Sequence, residues 1–364
     1  MLKIAVFSDI HLGSKKNRAI DIVKALDVAI FDNKENTQLD IIFLAGDVFD
    51  RLLELNCEEI PVIDYWITRL LEYCAKYDIL LRVLEGTPSH EWKQSLRFIT
   101  IAKMLKLPVN IQYFDTIDIE YIEEFDIHVL YVPDEIKPTT EETLETVKEL
   151  LVSRGISKVD YAIMHGTMDY QLGPGMHNSP HHSSEEYLQL VKHYIFIGHI
   201  HNYSIFDRIV AQGSFDRLSH GQEEPKGYVK AFVDKSSSNV FFIENKLARE
   251  YITIYITKMD IESALDHIKN LTVNLRPNAC VRIESNETNL LFSNMNLLVS
   301  LYPTITWSKI VRDNKTIEEE TSILDESKEY VPITISKDNV VELIKPRLDS
   351  IYMDRSIELL VSLL

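Results

Sequence analysis

Short apolar runs punctuate the first 200 residues, each closed by a polar or glycine-containing turn. Residues 4–7, 41–45, 79–84, 127–132, 161–164 and 194–197 are rich in Ile, Val, Leu and aromatics, the composition of strands buried on both faces. Between the early runs, residues 19–31 and 61–77 carry apolar side chains at three- and four-residue spacing, which predicts amphipathic helices. The alternation predicts α/β layering. Beyond residue 205 the texture changes to strands joined by tight turns. Residues 227–233 and 240–244, linked through Lys235-Ser236-Ser237-Ser238-Asn239, predict a hairpin.

A second unit is expected from residue 246: strand at 251–257, helix at 260–271, strand at 279–284, helix at 289–301 and strand at 305–311. This is a small βαβαβ module. The stretch 313–337 opens on an acidic segment poor in large apolar residues and reads as linker. Residues 338–364 regain helical spacing through Val340, Val341, Ile344, Leu348, Ile351, Ile357, Leu360 and Leu364. The expected division is therefore 1–245, 246–312, an acidic linker at 313–337 and a helical tail at 338–364.

Composition narrows the classes. With 38 basic against 56 acidic residues the chain carries a net charge of −18, which argues against a generally basic nucleic-acid coat but leaves room for a nuclease whose metals supply local positive charge. Cys57, Cys74 and Cys280 are scattered, which supports neither a disulfide framework nor a thiolate zinc site and points to a reducing compartment. The absence of a signal-peptide core and of an apolar run of about 20 residues leads to the expectation of a soluble cytoplasmic protein with no membrane association.

The chemistry gathers just past the predicted strands. Asp9-Ile10-His11 follows the first, Gly46-Asp47-Val48-Phe49-Asp50 the second and Gly86-Thr87-Pro88-Ser89-His90-Glu91 the third. The strand at 161–164 runs into His165-Gly166, and that at 194–197 into Gly198-His199-Ile200-His201. Ligands in open α/β sheets bind at the carboxyl ends of strands, so these segments converge on one rim. Mixed His/Asp ligation without thiolate suits manganese, iron or zinc better than calcium or magnesium. A carboxylate such as Asp47 can bridge two ions about 3.5–4 Å apart, an arrangement that activates water and clamps phosphate oxygens. The glycines at 46 and 198 are expected to let the backbone turn sharply, so that the next side chain enters the site.

In this order, the motifs Asp-x-His, Gly-Asp-x-x-Asp, Gly-…-His, His-Gly and Gly-His-x-His resemble the calcineurin-like metallophosphoesterases, most of all the SbcD-type double-strand-break nuclease subunits and their phage relatives. The segment Gly213-Ser214-Phe215-Asp216-Arg217-Leu218-Ser219, followed by Glu223, Glu224 and Pro225-Lys226-Gly227-Tyr228, resembles the one closing the nuclease domain in that family. The resemblance implies a β-sandwich flanked by helices, with a smaller α+β capping domain and a helical tail that binds a partner. Asp9, His11, Asp47 and His201 would hold one ion, and Asp47, His165 and His199 the other. His90 would be the catalytic histidine. The family usually writes Gly-Asn-His-Asp at the third motif, with the Asn carbonyl a ligand of the second ion. Here two extra residues intervene and Ser89 aligns with that Asn, so Ser89, Thr87 or water is left to complete the shell. The resemblance further implies two Mn2+ ions (Mg2+, Fe or Zn being alternatives), DNA as substrate, a homodimer and an SbcC-like coiled-coil ATPase as partner. The competing readings are a phosphomonoesterase or small-molecule phosphodiesterase, and a structural DNA-end-binding subunit with an impaired second metal site.

Several other residues are candidates for substrate contact: Lys15, Lys16, Arg18, Lys93, Arg97 and Arg217 for phosphates, Trp92 for base stacking, and the loop from Gly173 to His182, whose spacing fits no tetrahedral metal site.

Overall fold

The computed structural model describes residues 1–311 except 55, 174–178, 235–237 and 287–288, and without the side chains of 34 and 35. The acidic linker and the helical tail expected at 313–364 lie outside the described residues. Met1–Asp313 forms one compact unit.

Strands β1 (Leu2–Phe7), β2 (Ile41–Ala45), β3 (Leu80–Leu84) and β4 (Ile111–Phe114) lie side by side and parallel. A second sheet takes β5 (Asp118–Ile122), β6 (Ile127–Val132), β7 (Val159–His165), β8 (Val191–Gly198), β9 (Ser204–Phe206) and β10 (Ile209–Ala211), in the order β5-β6-β7-β8-β10-β9. The chain then returns to the first sheet. The hairpin of β11 (Gly227–Val233) and β12 (Ser238–Glu244) adds antiparallel to β1, giving the order β12-β11-β1-β2-β3-β4.

Period-two alternation explains how the sheets stack. From β1 and β2, Ile4, Val6, Ile41, Phe43 and Ala45 face Val129, Tyr131, Tyr161, Ile163 and Phe196 of the other sheet. Their neighbours Ala5, Phe7, Ile42 and Leu44 face outward under α1 (Ala19–Ile30) and α2 (Ile60–Tyr77), which supply Ile22, Leu26, Ile63, Trp66 and Leu70. After β3 come a single turn α3 (Pro88–Glu91) and α4 (Leu96–Leu105), whose Phe98 packs edge-on to Trp66. On the far face, α5 (Thr140–Ser153) and α6 (Ser184–Leu190) cover Leu130, Ala162 and Ile195 with Val147, Leu151 and Tyr187. The inter-sheet layer also holds one ion pair, Arg82 Nη2 to Glu120 Oε1 at 2.7 Å, with Tyr131 donating to Glu120 Oε2 at 2.8 Å.

The remaining described residues carry a small parallel sheet, β13 (Tyr251–Tyr255), β14 (Cys280–Ser285) and β15 (Thr306–Val311), with its own core built on α7 (Ile261–Thr272), α8 (Leu290–Ser293) and α9 (Met295–Leu301). The single helix expected at 289–301 is broken. Asn294 leaves the helical region at φ −119°, ψ 56°, and the chain restarts as α9. Asn289 caps α8 by accepting from the Leu291 and Phe292 amides.

Candidate metal centre

The carboxyl ends of β1, β2, β3, β7 and β8 meet at one rim. The turns after β1 and β2 are stitched together by backbone bonds, with the amides of Asp9, Ile10 and His11 donating to Gly46 O, Asp47 O and Asp47 O at 3.1, 2.9 and 3.1 Å. Asp9, His11, Asp47 and His199 all sit at positive φ, at 49°, 54°, 49° and 96°. Non-glycine residues enter this region at a cost of about 1–3 kcal/mol each, and such strain clusters where side chains must be aimed at a common point. The expectation for Gly46 is met in a particular way. Its φ is +85°, and a Cβ would stand 2.2 Å from His165 Nδ1. Gly198 differs, because it has no positive φ. What it supplies is room, since a Cβ there would lie 2.5 Å from Ala45 O and 2.7 Å from His165 Nδ1.

Two groups form, joined through Asp47. Asp9, His11 and His201 make one, and Asp47, His165 and His199 the other, while Asp47 also joins His11 and His90. Donors held about 2.1 Å from one ion stand roughly 3.0–3.4 Å apart. His11 Nε2 is 3.2 Å from His201 Nε2, His201 Nε2 is 3.6 Å from Asp9 Oδ1, and His165 Nε2 is 3.4 Å from Asp47 Oδ2. His165 gives the most direct test of fit. It is wholly buried, its Nδ1 donates to Ala45 O at 2.8 Å, and its Nε2 aims into the group with no hydrogen-bond partner. A buried imidazole with one nitrogen tied to a carbonyl and the other left open presents a lone pair to a cation. Asp50 Oδ1 lies 3.1 Å from His11 Nδ1, within ion-pair distance but without hydrogen-bond geometry. These residues fit divalent ions.

Charge follows the same geometry. Burial opposes ionisation of Asp47, but the imidazoles of His165, His90 and His11 outweigh it and hold the carboxyl well below its usual range. Burial drives the His201 imidazole down to about 4, against the pull of Asp9, which keeps it neutral and able to ligate at neutral pH. His90 is part-exposed, and its Nδ1 lies 2.9 Å from Asp47 Oδ2. That bond, partly offset by burial, raises its pKa.

The third motif forms a turn of its own. Ser89 is exposed on α3, and its carbonyl accepts from Trp92 Nε1 at 2.8 Å. The two extra residues bulge outward as the α3 turn, so the residue that follows Gly86 into the site is Thr87. Its amide donates to Asp47 Oδ1 at 2.7 Å, and its hydroxyl lies 3.2 Å from Asp47 Oδ2 and 3.4 Å from His199 Nδ1. Glu91 is turned away from the ions. Its carboxylate accepts from the Val48 and Phe49 amides and from Ser95 Oγ, and so braces the loop that carries Asp47.

Two further groups escaped the reading of the sequence. Asp134, on the loop after β6, places Oδ2 3.1 Å from Thr87 Oγ1 and 3.3 Å from His199 Nδ1. No motif marks it, and only the adjacency of β6 and β7 brings it here. Gln222 sets its side-chain amide 2.8 Å from His201 Nδ1, within the closing segment, where Lys226 donates to His201 O at 2.7 Å and the Phe215 amide to Asp9 O at 3.3 Å. Of the candidate phosphate contacts, Lys93, Arg97 and Arg18 are paired with Asp115, Asp64 and Asp21, while the exposed Lys15 and Lys16 line a hollow with Asp50. Trp92 is exposed beside His90. His182, from the histidine-rich loop, is buried rather than solvated, its Nε2 lying close to where a Cβ on Gly166 would be. Residues 174–178 of that loop lie outside the described residues.

Paired carboxylate–imidazole groups at the strand ends of a helix-flanked β-sandwich define a metal-dependent phosphoester hydrolase. The chain belongs to the calcineurin-like phosphoesterase family, whose model matches residues 2–203. No curated protein matches the sequence. Among solved structures, TT1561 of Thermus thermophilus is 12% identical, over 66% of this chain and 98% of that one, with a TM-score of 0.38. A second solved chain is 13% identical at the same coverage and score.

Proposed function

We propose that the chain is a DNA nuclease subunit, exo- and endonucleolytic at DNA ends, that uses two Mn2+ ions and works as a homodimer with an SbcC-like coiled-coil ATPase. One observation carries the choice of DNA over a small phosphoester. On a chain of net charge −18, a cleft of about 400 Å³ gathers five cations, Lys16, Arg18, Lys24, Arg249 and Arg276, against three acids, Asp21, Asp216 and Glu250, of which Asp21 pairs with Arg18 and Glu250 with Arg276. Lys16 also lines a hollow of about 360 Å³ that reaches Asp50, the partner of His11. Cations therefore continue outward from the metal centre. A monoester has no use for them, whereas a polymer's neighbouring phosphates do. The motif resemblance and the closing segment around His201 support the same reading, in which residues 246–312 act as the capping domain and the tail at 338–364 docks the partner.

When bound, divalent ions supply Lewis acidity toward the phosphate oxygens and toward the attacking water. The protein does the rest. Asp9, His11, Asp47 and His201 would hold the first ion, and Asp47, His165 and His199 the second. His90, fixed through Nδ1 by Asp47, presents Nε2 as the proton source for the departing sugar oxygen. Thr87 and Glu91 hold Asp47 and its loop in place.

The test is parallel assay with manganese on end-labelled duplex DNA and on aryl phosphate mono- and diesters, with and without the ATPase partner. Wild type is expected to cut DNA. The pair Lys16→Glu with Arg18→Glu should lower DNA cleavage at least about tenfold and flatten its salt dependence, leaving aryl diester turnover unchanged. Turnover of aryl phosphates with no DNA cleavage would instead establish a small-molecule phosphoesterase, and no turnover of either a DNA-end-binding subunit.

A further inference from the structure

We propose that Asp134 is a ligand of the second ion, supplying the oxygen that the altered loop after β3 no longer provides. The inference rests on the metal-centre reading above and names a residue that the motifs do not contain. Asp134 Oδ2 stands 3.3 Å from His199 Nδ1 and 3.1 Å from Thr87 Oγ1, which in turn is 3.2 Å from Asp47 Oδ2. These separations match those of donors sharing one ion, roughly 3.0–3.4 Å. The fully buried Nε2 of His165, which has no hydrogen bond, belongs to the same group, 3.4 Å from Asp47 Oδ2.

Charge makes the same case independently. The Asp134 side chain is only 12% exposed, and among the described residues no Lys or Arg lies within ion-pair distance of it. Its other oxygen accepts only a local bond, from the Glu135 amide at 3.0 Å. A carboxylate withdrawn from water to this degree is costly unless it is paired or coordinates a metal. The side-chain partners it does have are the His199 imidazole and the Thr87 hydroxyl, already placed around the second group. Thr87 offers a neutral hydroxyl, and Ser89 is exposed. A carboxylate reaching in from the adjacent strand end closes the shell and adds a negative charge that the Asn did not have.

Calorimetric titration of metal-free protein with Mn2+ decides the matter. Wild type is expected to bind two ions, and Asp134→Ala to bind one normally with the other weakened at least about tenfold. Outer-shell losses alone reach 10–100-fold in such sites, so the loss of a ligand should not fall below that range. Asp134→Asn keeps the shape and an oxygen donor, and so guards against a variant that fails to fold. It should weaken the second ion severalfold through lost charge, and Ser89→Ala should change neither ion. Two ions bound by Asp134→Ala or Asp134→Asn with wild-type affinities would overturn the proposal while leaving the metal centre intact. Equal weakening of both ions would overturn it too, since a ligand of one ion acts first on that ion. A wild type that binds no Mn2+ would instead defeat the reading beneath it.

Discussion

His90 shows how a single side chain is assigned a task by its neighbours. Its Nδ1 bond to Asp47 Oδ2 orients the ring, and the side chain remains 39% exposed, which leaves Nε2 uncommitted. It is thus placed to move a proton and is not needed to close either metal group. Replacing it with Ala should leave two Mn2+ ions bound at unchanged affinity, measured by calorimetry, while DNA cleavage falls at least about 100-fold. Loss of an ion in that variant would make His90 a ligand. The six residues expected to ligate, Asp9, His11, Asp47, His165, His199 and His201, were legible in the sequence because each follows a strong apolar run within a few positions, and the structure brings them together. Asp134 was not legible. An Asp after a strand is common, and nothing in Pro133-Asp134-Glu135 distinguishes this one.

At the scale of elements, the site depends on how closely three strand ends approach one another. Gly198 closes β8 against Ala45 and His165, with no space for a methyl group, while Gly46 supplies the reversed φ that turns Asp47 inward. Gly198→Ala should push His165 off its bond to Ala45 O. The expected result is a loss of about 1–3 kcal/mol in urea denaturation and weaker binding of the second ion in the Mn2+ titration. Wild-type stability together with wild-type binding would show that the strand ends can separate without harm. The elements that sequence reading found, β1, β2, β3, β6 and the helices α1 and α2, have buried runs or clear amphipathic periods. Those it passed over include β4 and β5, which are half-exposed with mixed patterns, and α5, which buries Thr143, Val147 and Leu151 at helical spacing but is otherwise largely polar.

At the scale of the molecule, the small sheet is tied to the β-sandwich near the metal centre. Arg249 donates to Lys16 O and to Asn17 Oδ1, and Tyr251 Oη donates to Asn17 Oδ1 at 3.1 Å. His220 packs edge-on to Tyr251 with ring centroids 5.1 Å apart. Burial, reinforced by Arg282 and Lys16, pushes its imidazole down to about 4. A folded-state pKa below the unfolded value means that the neutral ring stabilises the fold above pH 6.5, and that this contribution is lost as pH falls toward 4. After allowance for solvent screening the effect is about 1 kcal/mol. Metal-free wild type should therefore lose more stability than His220→Gln between about pH 7 and pH 4.5 in thermal denaturation. Parallel curves for the two proteins would show that His220 titrates as it does in the unfolded chain.

The order of apolar runs and the residues that end them were enough to show α/β layering, the resemblance to the family and the candidate metal ligands, because strand burial and strand-end placement are local properties written in consecutive positions. The completion of the second metal group was decided only in three dimensions. The two residues inserted before His90 could be absorbed as a bulge or could displace the donor. The fold takes the first course, lifting Ser89 into solvent and leaving Thr87 beside Asp47. Asp134 reaches the same point from a strand end much further along the chain. Its pairing with His199 follows from the position of β7 between β6 and β8, and sheet neighbours of that kind are set by packing across the sandwich and not by any spacing along the chain.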